Sequence, residues 1–167
     1  MKKRNLHSKE RFTIVVEGKT EAIYFEALKQ LLPFRQSNYI LVVENAKNLN
    51  DLIKASESGK IGRVFDKDHL TKEQLGRILK SGYSIGYSNP NFELWLLAHF
   101  IELRSAHSNI NKELNSHMKD YKKGGPDITK LATDFNKAIE NASKRNSPDF
   151  NKIGTSVGTL IANILVS

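Results

Sequence analysis

The sequence predicts an α/β protein: a mostly parallel four-stranded sheet flanked by helices, with a helical C-terminal extension. Two observations carry this. Short apolar, β-branched runs alternate with helix-patterned segments four times over the first hundred residues. After residue 103 that alternation stops and the chain turns rich in Asn, Ser and Lys. The expected organisation is a basic arm over 1–10, an α/β core over 11–103, and a helical layer over 104–167 packed on the core.

"RFTIVVEG", Arg11 to Gly18, reads as a buried strand that ends at a glycine. In "KTEAIYFEALKQLL" the apolar residues Ala22, Ile23, Phe25, Ala27, Leu28, Leu31 and Leu32 recur at helical spacing, and Pro33 stops the helix. "NYILVVEN", Asn38 to Asn45, is the second strand. "NLNDLIKASES", Asn48 to Ser58, is a short helix closed by Gly59. "KIGRVFD", Lys60 to Asp66, is the third strand. The next helix has Thr71 as N-cap, places Leu75, Ile78 and Leu79 on one face, and ends at Gly82. "YSIGYS", Tyr83 to Ser88, is a fourth strand interrupted by Gly86. "NFELWLLAHFIEL", Asn91 to Leu103, is a strongly apolar helix after Pro90. Beyond it come a short helix over Asn111–Tyr121 and a break at Gly124-Gly125-Pro126. A helix from about Asp127 to Arg145, a "SPDF" loop, and a terminal helix or strand over Thr155–Val166 follow.

Bulk properties bound the function. The chain has 167 residues, enough for one ordinary domain. No apolar stretch approaches the roughly 20 residues of a membrane span, and no apolar segment of secretory type follows the basic start. With 0 cysteines, disulfides and thiolate metal sites are excluded. A cytoplasmic location is the simplest expectation. The net charge is +8 and the pI about 9.6, which favours polyanionic partners such as DNA or RNA. Lys2, Lys3, Arg4, Lys9 and Arg11 stand against Glu10 in the first eleven residues. Such an arm contacts phosphates or simply keeps a terminus solvated.

In parallel sheets, function collects at the carboxyl ends of the strands. That rule picks out Glu17–Gly18, Asp66–Asp68 and Ser88–Asn89. Glu17 alone reads equally as a polar strand terminator, with Gly18 allowing a sharp turn. "VFDKD" ends the third strand with two carboxylates at period-two spacing, which sends both to one side. Paired anions repel unless a hard cation sits between them; the plain reading is a solvated turn. If the first and third strands are neighbours, Glu17, Asp66 and Asp68 converge. An all-oxygen donor set points to Mg2+ or Mn2+, ions that commonly handle phosphates.

"VVEGKTEAIYFEAL", "VFDKD" and "SNPNFELWLLAHF" together resemble the RloB/AbiL-type family of small Toprim-like proteins associated with restriction and phage-defence loci. The resemblance is close over about residues 10–105, and its Asn-Pro-x-Phe-Glu-x-Trp segment is the most specific part. The C-terminal "GTSVGTLIANI" departs from the family pattern. The resemblance implies a Toprim-like, Rossmann-type fold with Glu17 as the acid–base or metal-completing glutamate and Asp66 and Asp68 as metal ligands. Glu21 matches the second glutamate of the Glu-Gly-x-Thr-Glu run, or serves as an ordinary acid at a helix start. Lys19 is expected to offset phosphate charge. His69, Asn89 and Glu93 are accessory candidates. Trp95 reads as core, and His99 as a helix residue without a ligand role. Tyr24, inside the first helix, is not placed as a topoisomerase nucleophile.

The expected activity is Mg2+- or Mn2+-dependent hydrolysis of nucleic-acid phosphodiester bonds. The alternative is a non-catalytic nucleic-acid-binding or regulatory subunit of an ATPase-containing defence complex. An ATPase partner or a homo-oligomer is implied by the resemblance; a membrane partner is not.

Overall fold

The computed structural model describes residues 9–53, 60–80, 84–118 and 127–166. Strand β1 (Glu10–Val16), helix α1 (Lys19–Lys29), α2 (Leu32–Arg35), β2 (Tyr39–Asn45), α3 (Leu49–Ile53) and β3 (Lys60–Asp66) form the first half. Helix α4 (Lys72–Lys80), β4 (Ser84–Asn89), α5 (Glu93–Ala98), α6 (Ile110–His117), α7 (Asp127–Leu131), α8 (Phe135–Ala142), β5 (Gly154–Thr155) and α9 (Val157–Val166) complete it. The strands make one five-stranded sheet in the order β2-β1-β3-β4-β5. The first four are parallel, and β5 runs antiparallel to β4.

The α/β class is as expected, with one more strand. Two residues carry no periodicity, so nothing in the pattern marks β5. Its neighbours hold it by polar side chains instead. The Ser88 and Thr155 hydroxyls lie 2.8 Å apart, and Ser156 Oγ accepts from the Tyr87 N–H at 2.9 Å and donates to the Ile85 carbonyl at 3.2 Å. "Thr155 to Val166" is thus both alternatives in succession, a strand end and then a helix.

Both faces of β1 are covered, which is why its sequence reads as a continuous apolar run rather than an alternation. Phe12, Ile14 and Val16 join Tyr24, Phe25, Trp95, Leu160 and Ile161 in the larger core. Val15 joins Leu52, Phe65, Leu75, Ile78 and Tyr87 on the other face. Gly86 does not break β4. It makes room for α9: a Cβ there would lie 3.2 Å from Leu160 and 3.3 Å from Val157, and one at Gly62 would lie 2.7 Å from Leu160.

Several boundaries moved for physical reasons. Pro33 ends α1 early and also starts α2, where its missing N–H costs nothing. The start of α4 is a reciprocal capping box: Gln74 N–H donates to Thr71 Oγ1 at 3.1 Å, and Thr71 N–H donates to Gln74 Oε1 at 2.8 Å. Leu79, expected on its buried face, is 46% exposed. Helix α5 stops at Ala98 because the chain tightens: His99 and Phe100 donate to the carbonyls three residues back. The expected helix from Asp127 to Arg145 is split by a 3-10 turn at Ala132–Asp134, where Thr133 Oγ1 donates to the Lys130 carbonyl. The basic residues Lys2, Lys3 and Arg4, the ends at Ser58, Gly59 and Gly82, Tyr83, Tyr121, and the Gly124-Gly125-Pro126 break lie outside the described residues.

Candidate active site

The chain leaves β1 toward β2 on one side and returns to β3 on the other, so the strand order reverses at β1. An open α/β sheet has its ligand crevice at such a switch point, outside the carboxyl ends of the strands. Glu17 follows the last residue of β1, and Asp66 is the last residue of β3. The two strands pair directly, with Ile14 opposite Gly62 and Val15 opposite Arg63. The convergence required of the first and third strands is therefore in place for these two acids.

Between them lies a cleft of 320 Å³, walled by the carboxylates Glu17, Glu21, Asp66 and Glu93 and by Lys19, Thr20 and His69. Helix α1 brings Glu21 in. Gly18 is the reason it fits: a Cβ at position 18 would collide with the Glu21 carboxylate. The Gly18 backbone itself is ordinary extended chain, φ −96° and ψ 154°, so the glycine serves close approach and not a sharp turn. Glu93 opens α5, is only 3% exposed, and faces the cleft rather than escaping to solvent. His69 Nδ1 stands 3.7 Å from Glu17 Oε2.

Asp66 is the electrostatic centre. Burial pushes its carboxyl up to about 8, Glu21 and then Glu93 push the same way, the Phe92 N–H pulls down, and Asp68 adds a further push. A carboxyl so crowded by like charge is one whose ionised form lacks a counter-charge.

Two expected members sit elsewhere. Asp68 is exposed and does not line the cleft. The period-two argument stops at Asp66, because Lys67–His69 form a 3-10 turn. Successive side chains there rotate by about a third of a turn instead of alternating. Asp68 N–H donates to the Pro90 carbonyl at 3.3 Å, which ties this turn to the start of the Asn-Pro-x-Phe-Glu-x-Trp segment. The Asn89 amide is spent on a loop: it donates to the carbonyls of Asp149, Phe150 and Lys152 at 3.3, 3.1 and 2.8 Å. Lys67 lies over the Phe150 ring, 4.8 Å from its centre, so the same loop braces the turn from the other side. Thr20, 5% exposed, lines the cleft and was not singled out, although the Glu-Gly-x-Thr-Glu run contains it.

The remaining expectations resolve into packing. Trp95 is fully buried. His99 Nδ1 faces the Trp95 and Leu96 carbonyls at 3.0 and 3.1 Å, so it carries the proton. Its Nε2 then accepts from the Tyr24 hydroxyl at 2.8 Å. Burial lowers the imidazole to about 4 and pushes the Tyr24 phenol well above its usual range.

The chemistry of the donors fits a hard cation in kind: oxygen ligands, anionic, without sulfur. Among the described residues no three Asp, Glu or His side chains stand together as a ready-made metal site.

Fold and site together define the class: an α/β protein with an open, Rossmann-like sheet and a carboxylate-lined crevice at its switch point. A family model described as "RloB-like protein" matches residues 12–164. The chain belongs to this RloB-like family, and the match runs from β1 through the C-terminal stretch into α9. Comparison with curated proteins and with solved structures found no match. Among the described residues no helix is long and apolar enough to cross a membrane.

Proposed function

We propose that the cleft hydrolyses phosphodiester bonds in nucleic acid with Mg2+ or Mn2+, in the restriction and phage-defence setting that the Toprim resemblance implies. The observation that carries the reading is the convergence of Glu17, Glu21, Asp66 and Glu93 on one cleft at the switch point. Asp66 would hold the ion with Glu17 and Asp68; Glu21 and Glu93 line the same cleft as Asp66. A bound divalent ion supplies Lewis acidity toward a phosphoryl oxygen and lowers the pKa of bound water. The chain's own residues do the rest. Glu17, exposed at the rim and facing His69, is placed to take a proton from water. Lys19, at the head of α1, offsets phosphate charge. Glu93, held in the wall by buried α5, adds a further oxygen donor to the cleft.

A second reading, a nucleic-acid-binding or regulatory subunit of an ATPase-containing complex, is favoured by the exposure of Asp68 outside the cleft. The deciding experiment is cleavage of labelled single- and double-stranded DNA and RNA in Mg2+ or Mn2+, beside Asp66→Ala/Asp68→Ala and an EDTA control. Metal-dependent cutting that the double variant loses supports hydrolysis and names the substrate. Metal-insensitive binding without cutting, with or without the ATPase, sinks it in favour of the second reading.

A further inference from the structure

The cleft alone repels a polyanion. Four carboxylates, Glu17, Glu21, Asp66 and Glu93, face one lysine, Lys19, and the ring of His69. A divalent ion offsets that charge only locally, so the affinity for a phosphate backbone has to come from elsewhere on the surface.

The opposite end of the sheet supplies it. At the amino ends of β1 and β2 lies an open groove of 280 Å³ bordered by Lys9, Lys29 and Arg35, with Tyr39, Ile40 and Leu41 along it. Its cations are held in place. Lys9 Nζ donates to the Arg35 carbonyl at 2.7 Å. Lys60 Nζ, next door on β3, donates to the Tyr39 hydroxyl at 2.6 Å and lies 5.1 Å from the centre of that ring. Arg11 pairs in register with Ile40. Against these five cations stand Glu10 and Glu26, the latter 3.5 Å from Lys29. Ile40 and, beside the groove, Leu32 are 54% and 59% exposed, an apolar shelf among the charges.

We propose that this groove is a second contact for the phosphate backbone of a nucleic acid and supplies most of its binding charge. The proposal rests on the nucleic-acid reading above and extends it to a surface remote from the cleft. The seven residues of β1 separate the two places by about 20 Å at roughly 3.3 Å per residue. At 3.4 Å per base-pair step a duplex must exceed about 6 base pairs to touch both.

The test uses the full chain, fluorescence anisotropy with a labelled duplex of roughly 16 base pairs, in DNA and RNA forms, over a salt series. Lys9→Gln/Arg35→Gln/Lys60→Gln is expected to weaken binding at least about tenfold. It should also flatten the slope of log K against log salt by about 2 to 3, near 0.9 per lost phosphate contact. Lys9→Gln/Arg35→Gln, which leaves the Lys60–Tyr39 bond intact, is run beside it and should show about two thirds of the change in slope. Both variants are checked by thermal melting. With Mg2+, cleavage of bis(4-nitrophenyl) phosphate, too small to reach the groove, should be unaffected by either. Unchanged affinity and slope in both variants overturn the proposal, as does equal competition by polyglutamate of matched charge. The two readings fail separately. Loss of duplex binding in the groove variants, with no hydrolysis by wild type, keeps the groove and removes the hydrolase. Hydrolysis with unaltered duplex binding in the variants does the reverse.

Discussion

Glu17 and His69 face each other across the mouth of the cleft, Nδ1 to Oε2 at 3.7 Å, one from the end of β1 and the other from the turn after β3. Neither side chain is buried in the core, so both can be altered without opening a cavity. Glu17→Gln is expected to lower phosphodiester turnover by about a hundredfold, the usual worth of a positioned base. His69→Ala should lower it less. Melting temperatures of both should stay near wild type; a parallel loss of stability would show that the pair is structural.

Asp66 sets a pH dependence of one sign. Its folded pKa of about 8 lies above the 3.8 of an ordinary aspartate. The metal-free folded state therefore binds more protons than the unfolded chain between those values. The contribution of Asp66 to stability is greatest below about 4 and falls as pH rises toward 8, by an amount on the order of a few kcal/mol. Asp66→Asn should raise the melting temperature in EDTA at pH 8, and Mg2+ should stabilise wild type more at pH 8 than at pH 5. A destabilised Asp66→Asn at pH 8 would contradict the crowding.

His99 gives the opposite slope. Its folded pKa of about 4 lies below 6.5, so the unfolded chain binds the extra proton in between. That contribution is complete above about 6.5 and is lost as pH falls toward 4, up to about 3 kcal/mol. In wild type the two slopes oppose one another. Denaturant titrations of Asp66→Asn at pH 7 and 4.5 should therefore show a steeper acid loss than wild type. Tyr24→Phe, which removes the donor to Nε2, should cost about 1–3 kcal/mol at pH 7.

Gly18→Ala separates site from fold. Alanine tolerates the backbone angles at position 18, so stability should change by no more than about 1 kcal/mol. The new Cβ displaces the Glu21 carboxylate, so Mg2+-dependent activity should fall with unchanged melting. Activity equal to wild type would show that the position of Glu21 is irrelevant.

Asn89→Ala leaves the carbonyls of Asp149, Phe150 and Lys152 without this donor. The expected cost is about 1–3 kcal/mol. Faster proteolysis should appear within residues 147–153, the loop that also carries Phe150 against Lys67. Cleavage at the same rate as wild type would remove the bracing role.

Strands β1 and β3 were legible because their buried stretches leave continuous apolar runs, and because each run gives way to a carboxylate that stays at least partly exposed. Glu17 and Asp66 could be read from the same fact, since a carboxylate after such a run stands at a strand end. What escaped depends on contacts between distant segments. The two residues of β5 make sense only beside Ser88, and the proton on His99 Nδ1 leaves Nε2 for a tyrosine 75 residues away. Asp68 was misplaced because alternation was extended two residues past the strand, into a turn that follows a different rotation. Glu21 is legible through its motif, but Gly18's part in seating it depends on how α1 folds the carboxylate back over the glycine.

Thr155 meets Ser88 across 67 residues of sequence, and α9, directly after it, covers the sheet at Gly62 and Gly86. During synthesis, then, β3 and β4 leave the ribosome long before their lid exists. The patch of β3 and β4 at Gly62 and Gly86 stays uncovered until the segment 154–166 arrives. Any truncation before residue 154 removes that cover from β3 and β4, although the residues that line the cleft all lie between positions 17 and 93.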